Sequence, residues 1–128
     1  MAVLLETDVL IHLRDGDPEI TDKVAAVGDS VLMSIVSRVE LEGGVWRDPG
    51  LAHVRRARLE VILAAIPALA FDAEAADAYR AIVASAGYSR RKLLDRMIAS
   101  QALVHRAALA TRNASDYADI PALALLRW

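Results

Sequence analysis

Short apolar runs alternate along the chain with longer stretches of helical spacing. Val3-Leu4-Leu5 leads at once into Thr7-Asp8-Val9-Leu10-Ile11-His12-Leu13, whose head carries capping residues, so a strand is followed by a helix that Gly16 ends. Asp17-Pro18 couples an N-cap to a proline at the first helical position and opens a second helix, roughly Pro18 to Val27, closed by Gly28. Ser30 to Val36 reads as a buried strand, and Ser37-Arg38-Val39-Glu40 then has the spacing of a capping box opening a third helix, which Gly43-Gly44 weaken. Asp48-Pro49 repeats the cap-plus-proline signal for a fourth helix, which runs to about Ile66 before Pro67 stops it. Ala68 to Phe71 is a third strand, Asp72 caps an alanine-rich helix to Ala86, and Tyr88 to Lys92 form a polar connection into the helix holding Asp95-Arg96-Met97-Ile98-Ala99. Ala107 to Thr111 follows as a fourth strand, Asn113 to Asp119 as a turn, and Leu123 to Leu126 as a last short edge strand.

Strands that are apolar on both faces and separated by helices predict an α/β fold, a three-layer sandwich whose small, mainly parallel sheet is flanked by helices. With 128 residues the expectation is a single domain spanning residues 1–128. The absence of cysteine excludes disulfides and thiolate zinc sites, so any catalysis must use oxygen or nitrogen groups. The longest apolar stretch, Val61 to Phe71, is broken by Pro67 and falls short of the roughly 20 residues a bilayer requires. Met1 to Leu5 carry no basic leader, so the expected compartment is the cytoplasm. A net charge of -2 argues against global attraction to nucleic acid and leaves any such contact to local patches.

The acids are placed more tellingly than their number suggests. Glu6 and Asp8 follow the first strand, Glu40 the second, Asp95 opens a later helix, and Asp116 follows Ala107 to Thr111. Each has an ordinary explanation near a helix N-terminus, where the macrodipole favours an acid by about 0.3–1 kcal/mol, and the capping box with Ser37 would account for Glu40. Together they fall on the edge where the carboxyl ends of parallel strands gather ligands. Two carboxylates ~5 Å apart repel by about 3 kcal/mol at an effective dielectric near 20, so such a cluster protonates or binds a cation. Hard oxygen donors suit Mg2+ or Mn2+, and a divalent cation there would acidify an attacking water and neutralise charge on a phosphodiester and its leaving oxygen.

The segments Leu4-Leu5-Glu6-Thr7-Asp8-Val9-Leu10-Ile11, Ser37-Arg38-Val39-Glu40-Leu41, Leu94-Asp95-Arg96-Met97-Ile98-Ala99 and Thr111-Arg112-Asn113-Ala114-Ser115-Asp116-Tyr117 occur in the order and approximate spacing of a PIN domain. Along nearly its whole length the chain resembles a VapC-type toxin ribonuclease. The resemblance implies a PIN-like fold and a Mg2+- or Mn2+-dependent endoribonuclease, the toxin of a toxin–antitoxin pair, homodimeric and inhibited by a cognate antitoxin. It implies metal-binding and catalytic roles for Glu6, Asp8, Glu40, Asp95 and Asp116, with Thr111 and Asn113 orienting the site. One position departs from the family pattern: Glu6 stands where aspartate is usual, and Asp8 where Asn, Ser or Asp is usual. Either Glu6 reaches the metal from one methylene further out, or Asp8 takes over its role.

Arg90, Arg91 and Lys92, just before the Asp95 helix, are candidates for gripping substrate phosphates, although a solvated connection explains them equally well. Arg55, Arg56 and Arg58 read as the wet face of the fourth helix, and His12, His53 and His105 lack ligand spacing. Two rival readings remain. A PIN-like binding module with weakened catalysis is motivated by Glu6. A phosphoacceptor domain would use Asp72, but it wants a lysine beyond a late strand, and the lysines are Lys23 and Lys92.

Overall fold

The computed structural model describes residues 1–128. Strand β1 (Val3–Leu5) lies at the centre of a five-stranded sheet of order β3-β2-β1-β4-β5, with β2 (Val31–Ser34), β3 (Ala68–Leu69), β4 (Ala108–Thr111) and β5 (Leu125–Arg127). Every pairing is parallel, and Leu4 stands opposite Leu32 on one side and Leu109 on the other. The helices are α1 (Thr7–Arg14), α2 (Pro18–Ala25), α3 (Ile35–Arg47), α4 (Ala52–Ala65), α5 (Ala73–Ala86) and α6 (Leu93–Val104). No helix is long and apolar enough to cross a membrane.

Strand alternation sorts the core into two layers. Val3 and Leu5 point into one, with Val9 and Leu10 of α1, Ile20 of α2, and Leu59 and Ile62 of α4. Leu4 and Leu109 point into the other, with Ile82 of α5, Ile98 and Ala102 of α6, and Tyr117. Leu4, Leu5 and Leu109 are fully buried, and each contributes roughly 2–3 kcal/mol of hydrophobic stabilisation. The chain leaves β1 toward β2 on one side and comes back to β4 on the other. The crevice at the carboxyl ends of β1 and β4 is therefore where strand order reverses, the place at which open parallel sheets bind ligands.

The parallel sandwich agrees with expectation, and several boundaries do not. Strand β2 ends at Ser34, short of Val36, because the Ser34 hydroxyl accepts from the Val36 amide at 2.9 Å and caps α3 three residues earlier than the proposed capping box. Ser37 is consequently no cap but a buried residue on the inner face of α3. Gly43 and Gly44, expected to weaken this helix, lie inside it, and it continues to Arg47 because its intrahelical bonds and the buried Val45 outweigh two glycines. Asp48-Pro49 opens only a short 3-10 turn, Pro49–Leu51, before α4. Strand β3 closes at Leu69, and the last strand lies two residues later than Leu123, pairing Leu125 with Leu109.

Candidate active site

Glu6 is the first residue past β1 and points into the crevice, where it is only 6% exposed. The Thr111 hydroxyl at the end of β4 donates to Glu6 Oε2, and Thr111 Oγ1 in turn accepts the Asn113 amide at 2.9 Å. Burial pushes the Glu6 carboxyl from the ordinary 4.5 up to about 8, aided by the adjoining Asp8 carboxylate. Asp8 is satisfied differently. Its Oδ1 accepts from the Val9 amide at 2.7 Å, and its Oδ2 accepts from the Arg112 amide at 3.2 Å and from Asn113 Nδ2 at 2.8 Å. These bonds tie the start of α1 to the loop after β4, which closes the floor of the crevice.

From the other side, α3 brings in Glu40. The Thr7 hydroxyl contacts Ser37 Oγ at 2.9 Å and lies 2.7 Å from Glu40 Oε1, so Glu40 is held toward β1 rather than closing a capping box. Asp95, in the first turn of α6, is half-buried, and its carboxyl is raised by burial and then by the charges of Asp116, Glu40 and Asp8. Asp116 is exposed in the 3-10 turn Ala114–Tyr117. The charges acting on Asp95 thus bring together carboxylates from four separate segments of the chain.

Below them lies Tyr117, only 1% exposed, whose hydroxyl faces Glu6 and Asp95 without closing a well-formed hydrogen bond to either. Burial, and then the Glu6 and Asp95 charges, raise its hydroxyl far above the usual phenolic value, so it stays protonated and can only donate to them. The donor set suits a hard divalent cation: carboxylate oxygens around a polar buried rim, with no softer ligand among them. No three of these side chains stand close enough together to ligate one ion directly. Mg2+ is compatible with that spacing, because it usually takes one or two direct carboxylates and keeps several waters.

Of the basic residues before α6, Lys92 is turned away from the crevice. Its Nζ lies 3.0 Å from Asp119 Oδ2, and Lys92 together with the buried Arg96 holds the Asp119 carboxyl below the usual range. Arg90 and Arg91 are exposed in the turn. Asp72, the acceptor required by a phosphoacceptor reading, caps α5 through the Ala75 amide at 2.9 Å, beyond the edge strand β3 and away from the acids. His12 donates from Nδ1 to the Asp8 carbonyl at 2.7 Å, an intrahelical role. Two participants escaped the sequence reading. Thr7 lies between the two first-strand acids, and Tyr117 follows Asp116 directly; their signal was adjacency to residues already singled out.

The family model for the PIN domain matches residues 3–122. No curated protein sequence matches the chain. Among solved structures, the chain is similar to DNA-bound VapBC from Salmonella typhimurium, with a TM-score of 0.87 and 21% identity over 100% of this chain and 98% of that one. It is also similar to VapBC2 from Rickettsia felis bound to a promoter DNA fragment, with a TM-score of 0.86 and 21% identity over 100% and 99% of the two chains. FitAcB from Neisseria gonorrhoeae gives a TM-score of 0.84 at 25% identity over 98% and 96%. With the family model covering nearly the whole length, and the acids collected at the sheet's switch point, the chain belongs to the PIN domain family.

Proposed function

We propose that this chain is the endoribonuclease toxin of a toxin–antitoxin pair, hydrolysing RNA phosphodiesters with a carboxylate-held Mg2+ or Mn2+. The observation that carries the reading is the convergence of acids from separate segments on Asp95, a concentration of like charge that a soluble fold does not keep without use. Glu6, Glu40, Asp95 and Asp116 would hold the cation between them, one or two directly and the others through its waters. Asp8, whose oxygens already accept three N–H donors, would act by fixing the loop that carries Asn113. When bound, the cation would supply a more acidic water and neutralise charge on the phosphate and departing oxygen. Thr111 orients Glu6, Thr7 orients Glu40, and the protonated Tyr117 limits the charge that Glu6 and Asp95 present to one another.

Several of the similar structures are toxin–antitoxin complexes by description, including one from Klebsiella pneumoniae at a TM-score of 0.77, which supports an antitoxin as the partner. A homodimer is supported by large apolar side chains left exposed beside the acids: Val39 next to Glu40, and Leu93 and Leu94 next to Asp95. A toxin acting on RNA belongs in the cytoplasm. The test is cleavage of single-stranded RNA by the purified chain with Mg2+ or Mn2+, with and without excess chelator. Cutting that survives the chelator refutes the metal mechanism. A chain that binds Mn2+ weakly and cuts nothing favours the weakened binding module that Glu6 suggests.

A further inference from the structure

On the α3 side of the acids the crevice opens into a cavity of about 810 Å³, of which Thr7 and Glu40 form one wall. Its chemistry is unlike the rest of the surface. Ile11 is its one hydrophobic lining residue, and three arginines enter it from different elements: Arg14 from α1, Arg47 from the end of α3 and Arg55 from α4. Arg14 is 5% exposed, an uncommon burial for a guanidinium, and α3 makes room for it. A β-carbon on Gly44 would stand 3.1 Å from Arg14 Nη1, so glycine at this helical position lets the guanidinium lie against the backbone. Arg55 reaches the same spot and donates from Nη1 to the Gly44 carbonyl at 2.9 Å.

Three acids share this cavity, and of these Asp15 alone is ion-paired. Asp15 pairs with Arg14 Nε at 3.0 Å, Asp48 accepts the Gly50 amide at 3.0 Å, and Glu40 takes the Thr7 hydroxyl. Arg55 meets only a neutral carbonyl there, and Arg47 is exposed, so these two guanidinium groups keep their charge for a ligand. A helix dipole favours an arginine in the last turn and explains Arg47 alone. It does not explain a buried Arg14 and a reaching Arg55 gathered on one glycine.

We infer that this cavity is a backbone subsite for single-stranded RNA, in which Arg47 and Arg55 grip phosphates adjoining the one to be cut and Arg14 buttresses the wall. The inference rests on the nuclease reading. No aromatic ring lines the cavity to stack a base, and guanidinium forks match phosphate oxygens.

The test is fluorescence anisotropy of a labelled, mixed-sequence single-stranded oligoribonucleotide across a salt series, in an Asp95→Asn background with Mg2+, comparing Arg47→Gln, Arg55→Gln, Arg47→Lys and the pair Arg90→Gln/Arg91→Gln. Each lost phosphate contact should make the slope of log K against log salt shallower by about 0.7, whereas Arg47→Lys should keep it. With Asp95 restored, Arg47→Gln should raise KM while kcat is held. Arg47 is exposed at a helix end, so its variant tests the idea even if Arg55→Gln loosens α4. RNA that binds the parent protein with slopes unchanged in the Arg47 and Arg55 variants overturns the inference alone, and a loss confined to the Arg90/Arg91 variant overturns it in favour of the turn before α6. Variants that spare RNA but lose a poly-glutamate peptide assign the cavity to a protein carboxylate and overturn it too. A chain that neither binds nor cuts RNA overturns the proposed function, and the subsite with it.

Discussion

Replacing Glu6 by glutamine removes a buried charge while keeping nearly the same shape, and its effect on stability should depend on pH in a calculable way. A carboxyl raised on folding holds its proton more tightly in the native chain than in the unfolded one. Its contribution is complete below the unfolded value of 4.5, falls as pH rises toward about 8, and stays lost above that. Moving the group from 4.5 to about 8 is worth on the order of 5 kcal/mol, a large share of the roughly 5–15 kcal/mol that holds a domain together. In chelator, urea denaturation of the parent chain should therefore show stability declining steadily from about pH 5 to pH 8. Glu6→Gln should lack that decline and be the more stable protein at pH 8. Added Mg2+ should stabilise the parent at pH 8 more than the variant, because a bound cation acts by mass action and the variant offers it one carboxylate fewer. Parallel pH profiles for the two proteins in chelator would refute the assignment of a buried, proton-holding Glu6.

Asp95→Asn and Glu40→Gln should each abolish cutting while shifting thermal stability by no more than about 1 kcal/mol, since neither carboxylate caps its helix; loss of folding in step with activity would show a structural role instead. Glu6→Asp should raise turnover if the extra methylene misplaces the cation, and steady-state cleavage decides this, because catalysis depends on placing reacting atoms to within fractions of an ångström. Gln101→Leu should cost about 3 kcal/mol by urea denaturation, because the fully buried amide accepts the Ser34 hydroxyl and donates to the Leu69 and Ala70 carbonyls at 2.9 and 3.1 Å. Arg106→Gly should raise stability by up to about 1 kcal/mol, read as a higher midpoint, because Arg106 is held at a φ of 51° that an L side chain disfavours.

The layers and the strand-edge acids were legible in the chain because both follow from local rules. Short apolar runs bounded by turn signals read as strands of a covered sheet, and acids that follow them fall on one edge of any parallel sheet. What was not legible depended on choices between equivalent local signals. Ser34 and Ser37 each offer a hydroxyl ahead of a helical run. Ser34 prevails because capping there lets Val36, Leu41 and Val45 reach the core and leaves Ser37 to meet Thr7. Gly43-Gly44 read only as a weak point in the third helix, since nothing near it in sequence shows that Arg14 and Arg55 converge on Gly44 from other helices. The basic cluster before α6 had the same difficulty, as Lys92 finds Asp119 27 positions along the chain. Tertiary partners of this kind decide the meaning of a glycine or a lysine, and spacing alone does not carry them.

The hydrogen bonds around the acids also divide the work among them. Glu6 has Thr111, Glu40 has Thr7, and Asp8 has two backbone amides and Asn113, so these carboxylates are already anchored by the protein. Asp95 has only the Tyr117 hydroxyl facing it, and Asp116 stands exposed on a 3-10 turn. Without a cation, the cost of assembling the site therefore appears in two forms: a retained proton at Glu6, where donors are too few for a buried charge, and repulsion at Asp95, where other carboxylates supply the field. Glutamate in place of the family's usual aspartate fits this division. Its carboxyl accepts the Thr111 hydroxyl at the end of β4 and so links the two neighbouring strands at the switch point, at the cost of the proton it retains there.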